Sequence, residues 1–119
     1  MSNMTTVPQA EWRSFFDRMS KTLLGKRAEI EVASLDLGDQ IVAEWVPLIG
    51  ITYDSHDDSL DVTLESGSHV IRHPREIAVE EGQGGLASVA VVDQAGARQV
   101  VRLKEPLTVR SAGAGSAKA

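Results

Sequence analysis

Apolar side chains between Ala10 and Leu24 recur at steps of three and four: Trp12, Phe15, Phe16, Met19, Leu23 and Leu24. That spacing predicts an amphipathic helix with one buried stripe. Thr6 with Gln9 three residues on reads as a capping box, Pro8 as a first-turn residue and Gly25 as the stop. After Gly25 the period drops to two. Glu29-Ile30-Glu31-Val32 reads as a strand with Ile30 and Val32 on one face. Ile41 to Tyr53 predicts a longer strand that places Trp45, Pro47, Ile49, Ile51 and Tyr53 together, with Pro47 and Gly50 marking a bend, bulge or edge. The polar run 54–59 turns the chain into a strand at Leu60–Leu64, and Ser66-Gly67-Ser68 turns it into His69–His73. A further extended piece, Glu76–Val79, follows Pro74. Gly82–Gly85 breaks the pattern before a last hairpin, Ala87–Val92 with Arg98–Leu103.

One helix followed by five to seven short strands is an α+β unit whose sheet is antiparallel. Short strands and a bent second strand favour a small barrel of the SH3-like or Sm-like kind, the helix covering one open end. A curved, open meander is the alternative. The chain of 119 residues allows one domain. It is expected to run over 6–109, because the Gly/Ala/Ser tail 110–119 has no large apolar side chain to bury and is expected to be disordered.

Charge changes the picture more than composition does. Twelve Lys and Arg against seventeen Asp and Glu give −5, which disfavours nucleic acid as a partner. The charges are also divided along the chain. From Ala28 to Ile71 stand Glu29, Glu31, Asp36, Asp39, Glu44, Asp54, Asp57, Asp58, Asp61 and Glu65, with no Lys or Arg among them. An acidic face is therefore expected, either neutralised by the basic remainder within the fold or offered to a protein partner or a second copy. The start of the chain has neither a basic nor an apolar leader segment, and no apolar run approaches a membrane span, so a cytoplasmic protein without membrane contact is expected. The absence of cysteine removes disulfides and thiolate chemistry.

Candidate chemistry is sparse. Asp54, His56, Asp57, Asp58 and Asp61 crowd one loop, yet the spacing departs from a calcium loop at His56 and Ser59, so a solvated turn is favoured. His69 and His73 lie two pleat repeats apart on one strand face, too far to share a metal easily. The serines lack a Gly-x-Ser-x-Gly elbow, and Gly82–Gly85 precedes no phosphate-binding helix. Trp45 and Tyr53 could form a stacking platform, but in so acidic a neighbourhood packing beneath the helix is favoured.

Trp12-x-x-Phe15-Phe16-Asp17, Leu37-Gly38-Asp39-Gln40, Trp45-x-Pro47-Leu48-x-Gly50-Ile51-x-Tyr53-Asp54 and His73-Pro74-x-x-Ile77 stand in order between about Glu11 and Pro106. In these the chain resembles a family of short bacterial proteins catalogued as a domain of unknown function. The resemblance implies a bacterial, cytoplasmic, single-domain protein and brings no catalytic residue with it. The function expected is a noncatalytic protein-binding or assembly module, without cofactor or metal, using the acidic face or an exposed strand edge. The alternative is a small-molecule or metal-binding domain built on Trp45 and Tyr53 or on the 54–61 loop.

Overall fold

The computed structural model describes residues 4–34, 36, 38–82 and 85–105. Strand β1 (Met4–Val7) leads through a 3-10 turn (Gln9–Glu11) into helix α1 (Trp12–Leu23). Seven strands follow: β2 (Arg27–Ser34), β3 (Gly38–Asp54), β4 (Ser59–Leu64), β5 (Gly67–Arg72), β6 (Pro74–Gly82), β7 (Gly85–Asp93) and β8 (Arg98–Lys104). All neighbours are antiparallel, in the order β1-β6-β7-β8-β2-β3-β4-β5.

The helix buries the stripe its spacing predicts except Leu24, which lies past its end and is 64% exposed. Trp12, Phe15, Phe16 and Leu23 are inside, Trp12 edge-on to Tyr53 with ring centroids 5.2 Å apart. Its start differs from expectation. Thr6 lies in β1, paired with Ala78, so no capping box forms, and no side chain caps the helix. The indole of Trp12 instead donates to the Val7 carbonyl at 2.8 Å, pinning the helix entry to β1. Gly25 stops the helix in the left-handed conformation, φ +87. Its amide donates to Leu48 O at 2.9 Å, and the Leu48 amide donates to Lys26 O at 2.6 Å. The helix exit is thereby tied to the middle of β3.

The order has two free ends, β1 and β5, so the ladder is an open, curved meander and the closure expected of a barrel is not made. The reason lies at His73. With φ +53 it turns the chain sharply out of β5 into β6, which pairs with β7 and β1 rather than with β5. Its amide donates to Asp58 O (2.8 Å) and its carbonyl accepts from the Gln94 amide (2.9 Å), so three turns meet at this residue. His69 and His73 consequently do not share a strand face as expected.

Inward residues of the strands form one core: Ile30, Leu48, Ile51, Leu60, Val62, Ile71, Ile77, Val89 and Val101 are fully or almost fully buried, with the helix aromatics. The expected face of β3 is not kept, because a register shift between Leu48 and Gly50 turns Leu48 inward and leaves Ile49 48% exposed. No helix among the described residues is long and apolar enough to cross a membrane. The boundary at Val109, the tail 110–119, Leu37 and the middle of the Gly82–Gly85 break lie outside the described residues.

Candidate interaction surface

β3 has two halves with different company. Arg27–Ser34 of β2 pairs with its first half, Gly38–Pro47, while β4 pairs only with Leu48–Asp54. Among the described residues, the side of Gly38–Val46 away from β2 has no ladder partner, so its outward N–H and C=O groups lack sheet hydrogen bonds. Two register shifts against β2, around Ile30, bend this half, and Trp45 sits within it at φ +54. Beside the free edge runs a groove of about 350 Å³, walled by Val42, Val46, Leu64, Glu44 and His69 and ending on the β4–β5 turn. Ile41 and Val42 are 49% and 50% exposed on the strand that forms one wall.

The expected site residues do not gather there. Tyr53 belongs to the core, 7% exposed under Trp12. Trp45 lies half-buried, outside the core cluster that holds the helix aromatics, with Lys104 Nζ 4.0 Å from the centre of its ring. The two aromatics therefore do not form a joint platform, and the packing beneath the helix expected of both is made by Tyr53 alone. The left-handed turn at Trp45 and the shift at Leu48–Gly50 break the alternation that would have aligned them.

In the acidic loop, Asp54 Oδ1 accepts from the amides of His56 (2.9 Å) and Asp57 (3.3 Å), the bonding of a tight polar turn. Asp61 accepts from the Thr63 hydroxyl at 3.1 Å. Asp54, Asp57 and Asp61 border a shallow cleft of about 420 Å³ on the outer face of β3–β4–β5, shared with Ser59 and Arg72. Among the described residues no three His, Asp or Glu side chains converge as metal ligands.

Asp58 turns the other way. Its Oδ1 accepts from the Tyr53 hydroxyl at 2.7 Å and its Oδ2 lies 3.2 Å from His73 Nδ1. The Tyr53 hydroxyl and then His73 hold the Asp58 carboxyl below the usual carboxylate range. Burial, then the bond to Asp58, pushes Tyr53 up to about 12. A carboxylate only accepts, so His73 presents its Nδ1 proton to it. Hydroxyl, carboxylate and imidazole thus meet, but the phenol proton is committed to Asp58 and His73 lies at the surface, its side chain 57% exposed.

A second polar chain bridges the open seam. Buried Gln99 on β8 donates through Nε2 to Asp93 Oδ2 (3.3 Å), which leaves its Oε1 to accept from His69 Nε2 on β5 at 2.6 Å. On the opposite outer face, Arg102 binds Glu29 (3.1 Å) and Glu31 (2.9 Å). A hydrogen bond from Arg102 first, and then one shared with Asp39, hold the Glu31 carboxyl below the usual range. Part of the acidic block is therefore neutralised inside the fold. Among the described residues no Lys or Arg pairs with Asp39, Glu44 or Glu65.

Residue type marks a bend, bulge or edge only at Pro47 and Gly50, and does not single out Ile41, Val42 or Val46 as an edge. A signal existed in length: an extended run from Ile41 to Tyr53 cannot be covered along its whole length by a partner as short as Leu60–Leu64.

No solved structure matches the chain. An uncharacterized protein of the bacterium Aquifex aeolicus (strain VF5) is 38% identical over 99 residues, covering 82% of this chain and 89% of that protein. The model of a family of unknown function, DUF5335, matches residues 3–112, and the chain belongs to that family.

Proposed function

We propose that the chain is a noncatalytic protein-binding module that accepts an extended segment of a partner as an added strand along Gly38–Val46. The observation that carries this reading is the half-filled ladder of β3, bordered by exposed Ile41 and Val42 and by the groove under Val46 and Leu64. Main-chain groups of an incoming strand would complete the ladder, and alternate side chains would enter the groove. The Tyr53–Asp58–His73 chain supports a structural part rather than a catalytic one, because its hydrogen bonds join the β3–β4 turn to the β5–β6 corner. The sharp corner at Trp45–Gly50, where one strand serves β2 and then β4, supports an SH3-like layout with its seam left open.

Backbone resonances followed during titration with short extended peptides test the reading. Shifts confined to 38–46 and the β4–β5 turn, lost on N-methylation of the peptide backbone and in Val42→Asp, are expected. Shifts centred on the helix or on the Asp54–Asp61 face would overturn it.

A further inference from the structure

We propose that the segment received by the β3 edge is basic, a strand in which lysine or arginine alternates with small apolar residues. This rests on the strand-addition reading and adds the identity of the occupant. The groove beside the edge is apolar at Val42, Val46 and Leu64 and carries one charged wall residue, Glu44. Glu65, at the β4–β5 turn, is held next to β3 by its amide, which donates to Pro47 O at 3.0 Å. Asp39, on the same strand, hydrogen-bonds instead with Glu31 on the Arg102 face. Among the described residues Glu44 and Glu65 have no Lys or Arg counter-ion, whereas Glu29 and Glu31 on the other face are taken up by Arg102. His69 also lines the groove, but its Nε2 is committed to Gln99 at 2.6 Å. The rim beside the groove thus carries two carboxylates without a counter-ion, Glu44 and Glu65, while Lys104 is held over the Trp45 ring.

A second copy of the chain fits this rim poorly. Antiparallel pairing of Gly38–Val46 with itself would bring two uncompensated Glu44 carboxylates into one short strip. The register shifts around Ile30 also bend the edge, a device that discourages copies from stacking edge to edge. A basic strand meets neither obstacle. Its apolar side chains would fill the groove while the alternate cations reach Glu44 and Glu65. Exposed pairs of this kind contribute little each, so their main effects are on partner choice, association rate and salt dependence.

Three short peptides, identical in their alternating valines and differing only in lysine, serine or glutamate between them, provide the test against the full chain by fluorescence anisotropy. The lysine peptide is expected to bind about tenfold more tightly than the serine peptide at low ionic strength, from two exposed ion pairs. That advantage shrinks as salt rises. Glu44→Lys combined with Glu65→Lys, both at exposed carboxylates, is expected to reverse the order in favour of the glutamate peptide. Equal binding of all three at the edge overturns the basic occupant and leaves strand addition standing. Failure of all three to bind removes both. A lysine preference that persists in the double variant places the charge recognition elsewhere and overturns the proposal. A dimer in sedimentation that Val42→Asp dissolves makes the second copy the occupant and overturns it as well.

Discussion

Ile51 and Ile41 are the same residue on the same strand, yet Ile51 is 0% exposed and Ile41 49%. The contrast summarises the two halves of β3. Leu48–Asp54 pairs with β4 and packs its inward face into the core, with Tyr53 under Trp12. Gly38–Pro47 is held by β2 on one side and leaves apolar side chains in water. Alternation alone would have made the whole strand one buried ribbon. What separates the halves is backbone geometry, namely the left-handed Trp45 and the shift at Leu48–Gly50, which let one continuous strand serve first as edge and then as core.

The largest effect expected from testing this contrast is on stability. Ile51→Ala should cost about 3 kcal/mol, since it removes buried methylene groups and leaves a cavity. Ile41→Ala should stay within about 0.5 kcal/mol, as for other surface truncations. Urea unfolding of the two variants measures the difference, and equal losses would mean that the first half of β3 is covered in solution.

Next in size is the anchor of the buried half. Tyr53→Phe removes the hydroxyl that donates to Asp58 and should cost about 1–2 kcal/mol. The pH dependence follows from the two shifts. Tyr53 keeps its proton in the folded chain up to about 12, whereas the unfolded chain releases it near 10. Its contribution is whole below the lower value and is lost as pH rises through that window. Asp58 is shifted downwards, so its contribution is present above the ordinary carboxylate pKa and is lost as pH falls towards its lower folded value. Melting temperatures across pH should therefore show both limbs in the parent chain. In Tyr53→Phe the part of the alkaline limb due to this tyrosine should vanish and the acid limb should be shallower.

Much of the architecture was legible because it depends on local period. The helix stripe from Trp12 to Leu23, the strand at Ile30 and the β7–β8 hairpin each repeat often enough to declare themselves. β1 was missed because Met4–Val7 is too short to show alternation and finds its partner in β6, far along the chain. Barrel and open meander could not be separated by pattern, because the seam turns on the φ of His73, a residue type that gives no warning of a left-handed corner. The candidate surface was the least legible part. Ile41, Val42 and Val46 look like core residues, and their exposure depends on how far β4 extends along β3. The acidic loop was read correctly as a turn, but the role of Asp58 in joining Tyr53 to His73 needs tertiary structure to see.

The smallest effects bear on the corner between the halves, where the residue types look exchanged. Trp45, a bulky aromatic, occupies the left-handed region that favours glycine, at φ +54. Gly50, the residue that seemed to mark the bend, lies outside that region, and a Cβ added there would meet nothing within 4 Å. Trp45→Ala should therefore be less stable than Trp45→Gly by about 1 kcal/mol; both lose the contact with Lys104, but only alanine keeps the backbone strain. Gly50→Ala should do the opposite and raise stability by about 0.5 kcal/mol, because it restricts the unfolded chain without straining the folded one. Denaturation midpoints with an unchanged slope measure both. A clear loss in Gly50→Ala would mean that the corner depends on glycine freedom at position 50, and that the division of β3 originates there rather than at Trp45.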